Sequence, residues 1–122
     1  MEPLRRIRVL VVEDDDALRE LYRYELVTAG LLVTAVPDGV DALRRIDAGL
    51  HPDVVILDLM LPRLNGLDLY REFKAHANTR NVPIIVVTGT DTRDLNPHEF
   101  AFVFRKPVSG SALIKAIDAC TH

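Results

Sequence analysis

Apolar residues along this chain fall into two alternating patterns. Runs rich in β-branched residues occupy positions 7–12, 31–36, 54–57, 83–87 and 101–104. Most lack the polar alternation of a half-exposed strand, so they predict strands covered on both faces. Between them lie amphipathic stretches with three- and four-residue spacing. Residues 16–29 carry Leu18, Leu21, Tyr22 and Leu26, with Gly30 as the stop. Residues 38–48 carry Val40, Leu43 and Ile46 and stop at Gly49. Residues 67–76 carry Leu67, Tyr70 and Phe73, and residues 109–120 open on Ser109 as a cap and carry Leu113, Ile114 and Ile117. Each predicts a helix with one buried stripe. A β-α unit repeated five times predicts a parallel sheet, right-handed crossovers and helices on both faces. The stretch 89–99 has few apolar residues and contains Asn96-Pro97. The helix expected there, the fourth in order, is therefore short or irregular.

Length and composition narrow the picture. A chain of 122 residues fits one domain, expected to span 1–122. With 48% hydrophobic and 27% charged residues it has globular rather than disordered composition. No apolar run approaches the ~20 residues of a membrane span. The first apolar run stops at Glu13, too soon for a secretory leader. One cysteine, Cys120, excludes an internal disulfide framework and fits a cytoplasmic setting. The four histidines are scattered, which argues against zinc. A net charge of −3, with no basic stripe, argues against direct nucleic-acid binding.

The chemistry gathers at the strand ends. The first predicted strand runs into Glu13-Asp14-Asp15-Asp16, the third into Asp58, the fourth into Thr88-Gly89, and the fifth is followed by Lys106-Pro107. In a parallel α/β sheet these positions share the carboxyl edge, where ligands bind. Glu13, Asp14 and Asp58 would repel one another there unless cations offset them. Lys106 supplies one positive charge. A hard divalent cation supplies more, and Mg²⁺ prefers one or two carboxylates together with water and phosphate oxygens. Such a cluster suits phosphoryl transfer to a carboxylate nucleophile, with Lys106 and the metal stabilising charge on the transferred oxygens and Thr88 bonding a phosphate oxygen. Each residue also has a plainer reading. Acidic residues cap and complement helix starts, the role assigned to Asp15 and Asp16. Asp58 could begin a turn, Thr88 could be an ordinary strand residue, and Lys106 an exposed lysine. Their convergence on one edge favours the site.

Four segments, VLVVEDDDALRE, VVILDLMLPRLNG, PIIVVTGT and FRKP, in this order and near this spacing, resemble a response-regulator receiver domain from Ile7 to about Ala119. The resemblance implies a flavodoxin-like, doubly wound sheet in the order 2-1-3-4-5. It makes Asp58 the phosphoacceptor and Asp14 and Asp58 direct Mg²⁺ ligands, with Glu13 acting through water. Met60 would offer its backbone carbonyl to the metal. Thr88 would be the switch hydroxyl, Gly89 a phosphate-contacting backbone position, and Lys106 the family's lysine before a cis bond to Pro107. It implies a signalling switch rather than a dedicated enzyme: a phosphoacceptor that takes part in its own phosphotransfer and dephosphorylation. Its partners would be a sensor histidine kinase or histidine phosphotransfer protein and a downstream protein effector. The chain would be a monomer or a phosphorylation-dependent homodimer.

The sequence departs from the family pattern between Thr88 and Lys106, which is shorter than usual. Asn96-Pro97-His98-Glu99-Phe100 replaces the customary run before the fifth strand, and Val103, flanked by Phe102 and Phe104, stands at the usual aromatic switch position. The expectation is a segment 90–99 that is irregular and switches by ordering. The competing reading is an interaction module with the same fold that does not use phosphate. An aspartyl-phosphate hydrolase would need a second carboxylate two residues after Asp58, where Met60 stands.

Overall fold

The computed structural model describes residues 6–61, 64–89, 95, 96 and 98–122. Its elements run β1 (Arg8–Val12), α1 (Asp16–Thr28), β2 (Leu32–Val36), α2 (Gly39–Asp47), β3 (Val54–Leu57), α3 (Gly66–Ala75), β4 (Ile84–Thr88), β5 (Phe102–Arg105) and α4 (Gly110–Thr121). The strands form one sheet in the order β2-β1-β3-β4-β5. Every neighbouring pair is parallel. This is the doubly wound α/β architecture that the alternation and the resemblance imply.

The continuous apolar runs have a simple cause: alternate side chains enter two different cores. Leu10, Val12, Val55, Leu57, Ile84 and Val86 pack toward Ala42 and Ile46 of α2 and Leu69 and Phe73 of α3. Val9, Val11, Val54, Ile56, Ile85 and Val87 face the other way, toward Tyr22 and Leu26 of α1 and Leu113 and Ile117 of α4. A polar residue in place of any apolar residue of β1, β3 or β4 would enter one core or the other.

Each helix starts on a side-chain cap. Asp15, Asp38, Asn65 and Ser109 accept hydrogen bonds from the backbone N–H groups of Leu18, Asp41, Asp68 and Ala112. Ser109 is the cap expected of it, whereas Asp38 stands just outside the helix it was expected to begin. Gly30 and Gly49 follow α1 and α2 at φ 93° and 107°, the left-handed conformation expected of a helix stop. β4 begins one residue later than its apolar run, because Pro83 has no N–H to give the ladder.

Between β4 and β5, residues 95, 96 and 98–101 are not helical. Residues 90–94 and 97 lie outside the described set, and with them the main part of the expected irregular segment. The entry to β5 is held by Phe100, buried with its ring 4.9 Å from that of Tyr70. The Tyr70 hydroxyl also donates to the Glu99 carbonyl at 3.1 Å. Val103 packs toward the α2–α3 core, whereas Phe104 packs toward α1 and α4. No described helix is long and apolar enough to cross a membrane.

Candidate functional site

Strand order assembles the site. β1 and β3 are neighbours, so the residues that follow them, Glu13 and Asp58, emerge side by side. The backbone continues the ladder beyond both strands: Asp58 N–H donates to the Val12 carbonyl and Glu13 N–H to that of Val36, each at 3.1 Å. On the far side, Lys106 N–H donates to the Thr88 carbonyl at 2.9 Å. This bond carries the β4–β5 pairing one residue past Arg105. The Lys106–Pro107 bond is cis, as the resemblance implies.

From that position the Lys106 ammonium lies 2.6 Å from Glu13 Oε1 and 2.9 Å from Asp58 Oδ2. Both carboxylates are buried. Asp58 Oδ1 accepts the Met60 N–H at 2.9 Å, and Glu13 Oε2 accepts the Asp15 N–H at 3.2 Å. The turn after β3 thus holds one oxygen of Asp58 while lysine holds the other. Asp14 is exposed, and its carboxylate completes the group: single oxygens of Glu13, Asp14 and Asp58 lie within 4.8 Å of one another.

The electrostatics follow from burial. Desolvation pushes the Glu13 carboxyl above its ordinary value, against the Lys106 and Asp15 hydrogen bonds, and the Asp58 charge adds to the rise. Burial alone would lower Lys106, but the hydrogen bonds it donates to Glu13 and Asp58 outweigh it, and the ammonium is held above its ordinary value. Lys106 is therefore charged at neutral pH. Three carboxylates against one ammonium leave a formal excess of two negative charges in the cleft.

That donor set fits a hard divalent cation. Oxygens on opposite sides of octahedral Mg²⁺ lie about 4.2 Å apart. A spread within 4.8 Å needs little closure to reach that span. Thr88 is fully buried at the end of β4, and Gly89 follows it at the surface. The Met60 side chain is 60% exposed at the mouth of the cleft. The seven residues singled out by sequence, Glu13, Asp14, Asp58, Met60, Thr88, Gly89 and Lys106, all lie at the carboxyl edge.

Two neighbours were not legible as site residues. Arg19 donates from Nη1 to the Glu13 carbonyl at 3.0 Å and the Asp14 carbonyl at 3.5 Å. The sequence signal for Arg19 was its three-residue spacing from Asp16, an ordinary helix-surface pair. Tyr22 reads as helix packing, and it is buried as such. Its hydroxyl has no hydrogen-bond partner among the described residues. Burial raises its pKa, opposed by the charge of Lys106, so it lies within the electrostatic reach of the site. Cys120 is half-buried, its thiol bonded to the Ala116 carbonyl and its pKa raised by burial. It is an unreactive helix residue.

Comparison with known proteins agrees with this geometry. The family model of the response regulator receiver domain matches residues 9–118. The response regulator MprA of Mycobacterium sp. (strain KMS) is 43% identical over 86 residues, covering 70% of this chain and 36% of that protein. The matched region thus spans about a third of the length of the curated relatives. The receiver domain of sensor histidine kinase PA1611 from Pseudomonas aeruginosa PAO1 superposes with a TM-score of 0.83 at 27% identity, over 96% of this chain and 98% of that one. That structure has a magnesium ion coordinated in its active site cleft. Chemotaxis protein CheY4 of Vibrio cholerae shares the fold, with a TM-score of 0.87 at 22% identity, over 95% of this chain and 99% of that one.

Proposed function

The chain belongs to the response-regulator receiver domain family, and on that premise we propose that it is a switch domain that accepts a phosphoryl group on Asp58. The donor is a phosphohistidine on a sensor histidine kinase or phosphotransfer protein. The observation that carries this reading is the buried Asp58 carboxylate, held by the Met60 N–H on one oxygen and Lys106 on the other, within reach of two further acids.

In the transfer, an Asp58 oxygen uses a lone pair to attack phosphorus. The P–N bond to the donor imidazole breaks, and its electron pair leaves with the ring. The Met60 N–H fixes the carboxylate plane, so the attacking oxygen needs little reorientation. Lys106 sits where negative charge grows on the phosphoryl oxygens, and its ammonium transfers its hydrogen bond from carboxylate to phosphoryl oxygen. Glu13, Asp14, Asp58 and the Met60 carbonyl would hold Mg²⁺, which supplies charge neutralisation for the phosphoryl oxygens. Thr88 and the Gly89 backbone, at the same sheet edge, would take up the product's oxygens. Hydrolysis of the acyl phosphate by water returns the carboxylate, so the chain takes part in its own chemistry without being a dedicated enzyme. The phosphorylated form relays the signal to a protein effector, as a monomer or a phosphorylation-dependent homodimer, in the cytoplasm.

The test is intact mass after incubation with acetyl phosphate and Mg²⁺. One phosphoryl increment is expected, absent in Asp58→Ala and absent with a chelator. An increment that persists in Asp58→Ala would remove Asp58 as the acceptor. If no increment forms, beryllofluoride is titrated with NMR detection. The absence of shifts near Asp58 would then leave a phosphate-independent interaction module.

A further inference from the structure

We infer that Arg19 is a positioning residue for the acidic pair: its guanidinium ties down both peptide planes that flank Asp14 and so sets the direction in which that carboxylate points. This deepens the phosphoacceptor reading and rests on it for the role of Mg²⁺.

The geometry is specific. The Glu13 carbonyl belongs to the peptide plane before Asp14, and the Asp14 carbonyl to the plane after it. Arg19 Nη1 donates to both, at 3.0 and 3.5 Å. Two held planes fix both backbone dihedrals of Asp14, and with them the base of its side chain. The second plane also carries the Asp15 N–H, which donates to Glu13 Oε2 at 3.2 Å. One guanidinium therefore orients the Asp14 side chain directly and the Glu13 side chain through the Asp15 amide. It does so from the peptide side, leaving the carboxylate oxygens open to the cleft.

The plainer account is a helix-surface ion pair, since Arg19 Nη2 also lies 2.6 Å from Asp16 Oδ1. Exposure separates the two. The Asp16 side chain is 90% exposed, where an ion pair is worth little, whereas that of Arg19 is only 21% exposed. Its position beneath the loop is set by the carbonyls. Arginine suits this task because its planar fork presents several N–H groups in fixed directions, which a lysine ammonium does not.

The experiment compares the parent with Arg19→Ala, Arg19→Lys and Asp16→Ala. In metal-free buffer, hydrogen exchange at the Asp14 and Asp15 amides should quicken in Arg19→Ala and Arg19→Lys and stay as in the parent in Asp16→Ala. In an NMR titration with Mg²⁺ alone, Arg19→Ala should raise the Kd about 10-fold, the scale expected when a group orienting a metal ligand is removed. The rate of phosphorylation by acetyl phosphate should need more Mg²⁺ to half-saturate but reach a near-parent maximum. A purely structural defect would lower the maximum instead. Full recovery in Arg19→Lys would overturn the two-plane account in favour of simple charge. An Asp16→Ala that mimics Arg19→Ala would overturn it in favour of the surface pair. If the parent itself does not titrate with Mg²⁺, the metal-dependent phosphoacceptor reading falls, while the exchange rates still decide whether Arg19 holds the loop.

Discussion

Gly66 opens α3 directly against the turn that follows Asp58, and alanine at this position sets two physical effects against each other. Helix propensity favours alanine over glycine by up to about 1 kcal/mol. The geometry opposes it more strongly. A Cβ on Gly66 would lie 2.4 Å from the Leu59 Cα and 2.8 Å from the Asp58 carbonyl oxygen. Ordinary carbon contacts are about 3.5–4.0 Å, so backbone must move by about 1 Å. Both obstacles are main chain and cannot rotate away. Overpacking of this kind costs about 1–3 kcal/mol. The Gly66 N–H also donates to the Leu59 carbonyl at 3.1 Å, a bond worth about 1 kcal/mol that the same movement would stretch. Set against the propensity gain, Gly66→Ala should destabilise the fold by about 1–3 kcal/mol, or roughly 4–12 °C in Tm. Far-UV circular dichroism on heating and in urea measures it. The Met60 amide resonance should shift with it, because that N–H is bonded to Asp58 Oδ1. A variant as stable as the parent would refute the clash argument and show that propensity decides.

Two further outcomes can be checked in the same assays. Tyr22→Phe removes a buried hydroxyl that has no partner among the described residues, so stability should hold or rise. A loss of more than about 1 kcal/mol would reveal a bond that the structure does not contain. Glu13 has its pKa raised above the ordinary 4.5, so between those two values the folded chain keeps a proton that the unfolded chain releases. Its contribution to stability therefore falls as pH rises through that window, and the parent should lose stability relative to Glu13→Gln in metal-free buffer. Urea midpoints from pH 4 upward record the difference, and a parent that gains on the variant would reverse the assigned sign.

How much of this was legible depended on which kind of contact did the work. β1, β3 and β4 were readable because strand interiors buried on both faces favour apolar residues, so their runs are broken only at the ends, by Arg8 and Thr88. Their ends marked the carboxyl edge, and Glu13, Asp58, Thr88 and Lys106 could be placed there before any distance was known. Ends of elements were less exact. Asp38 looks the same in sequence whether it is the first helical residue or the cap, and only the hydrogen bond it accepts from the Asp41 N–H decides. Asn65 was missed as the cap of α3 because the apolar periodicity starts later, at Leu67. Arg19 could not be recognised as more than a surface residue, because its partners are main-chain carbonyls, which carry no sequence signature. The Tyr22 hydroxyl was hidden for the opposite reason: no described residue stands opposite it to betray the mismatch. The close approach at Gly66 also depends on the path of the turn rather than on any residue type.

The order of the strands has a consequence for how the sheet could come apart. The two buried acids follow β1 and β3, in the interior of the sheet, whereas the ammonium that neutralises them follows β5, which has β4 as its single neighbour. Edge strands are where sheets open most easily. Here, peeling β5 away would leave two buried like charges without their cation, a cost added to that of the lost ladder bonds. Mutual repulsion of the acids thus works as a latch on the sheet margin, and Lys106 is its bolt. Any other cation that enters the cleft competes for the same oxygens and slackens that latch. Occupancy of the cleft and the grip of the outermost strand are therefore two readings of one charge balance.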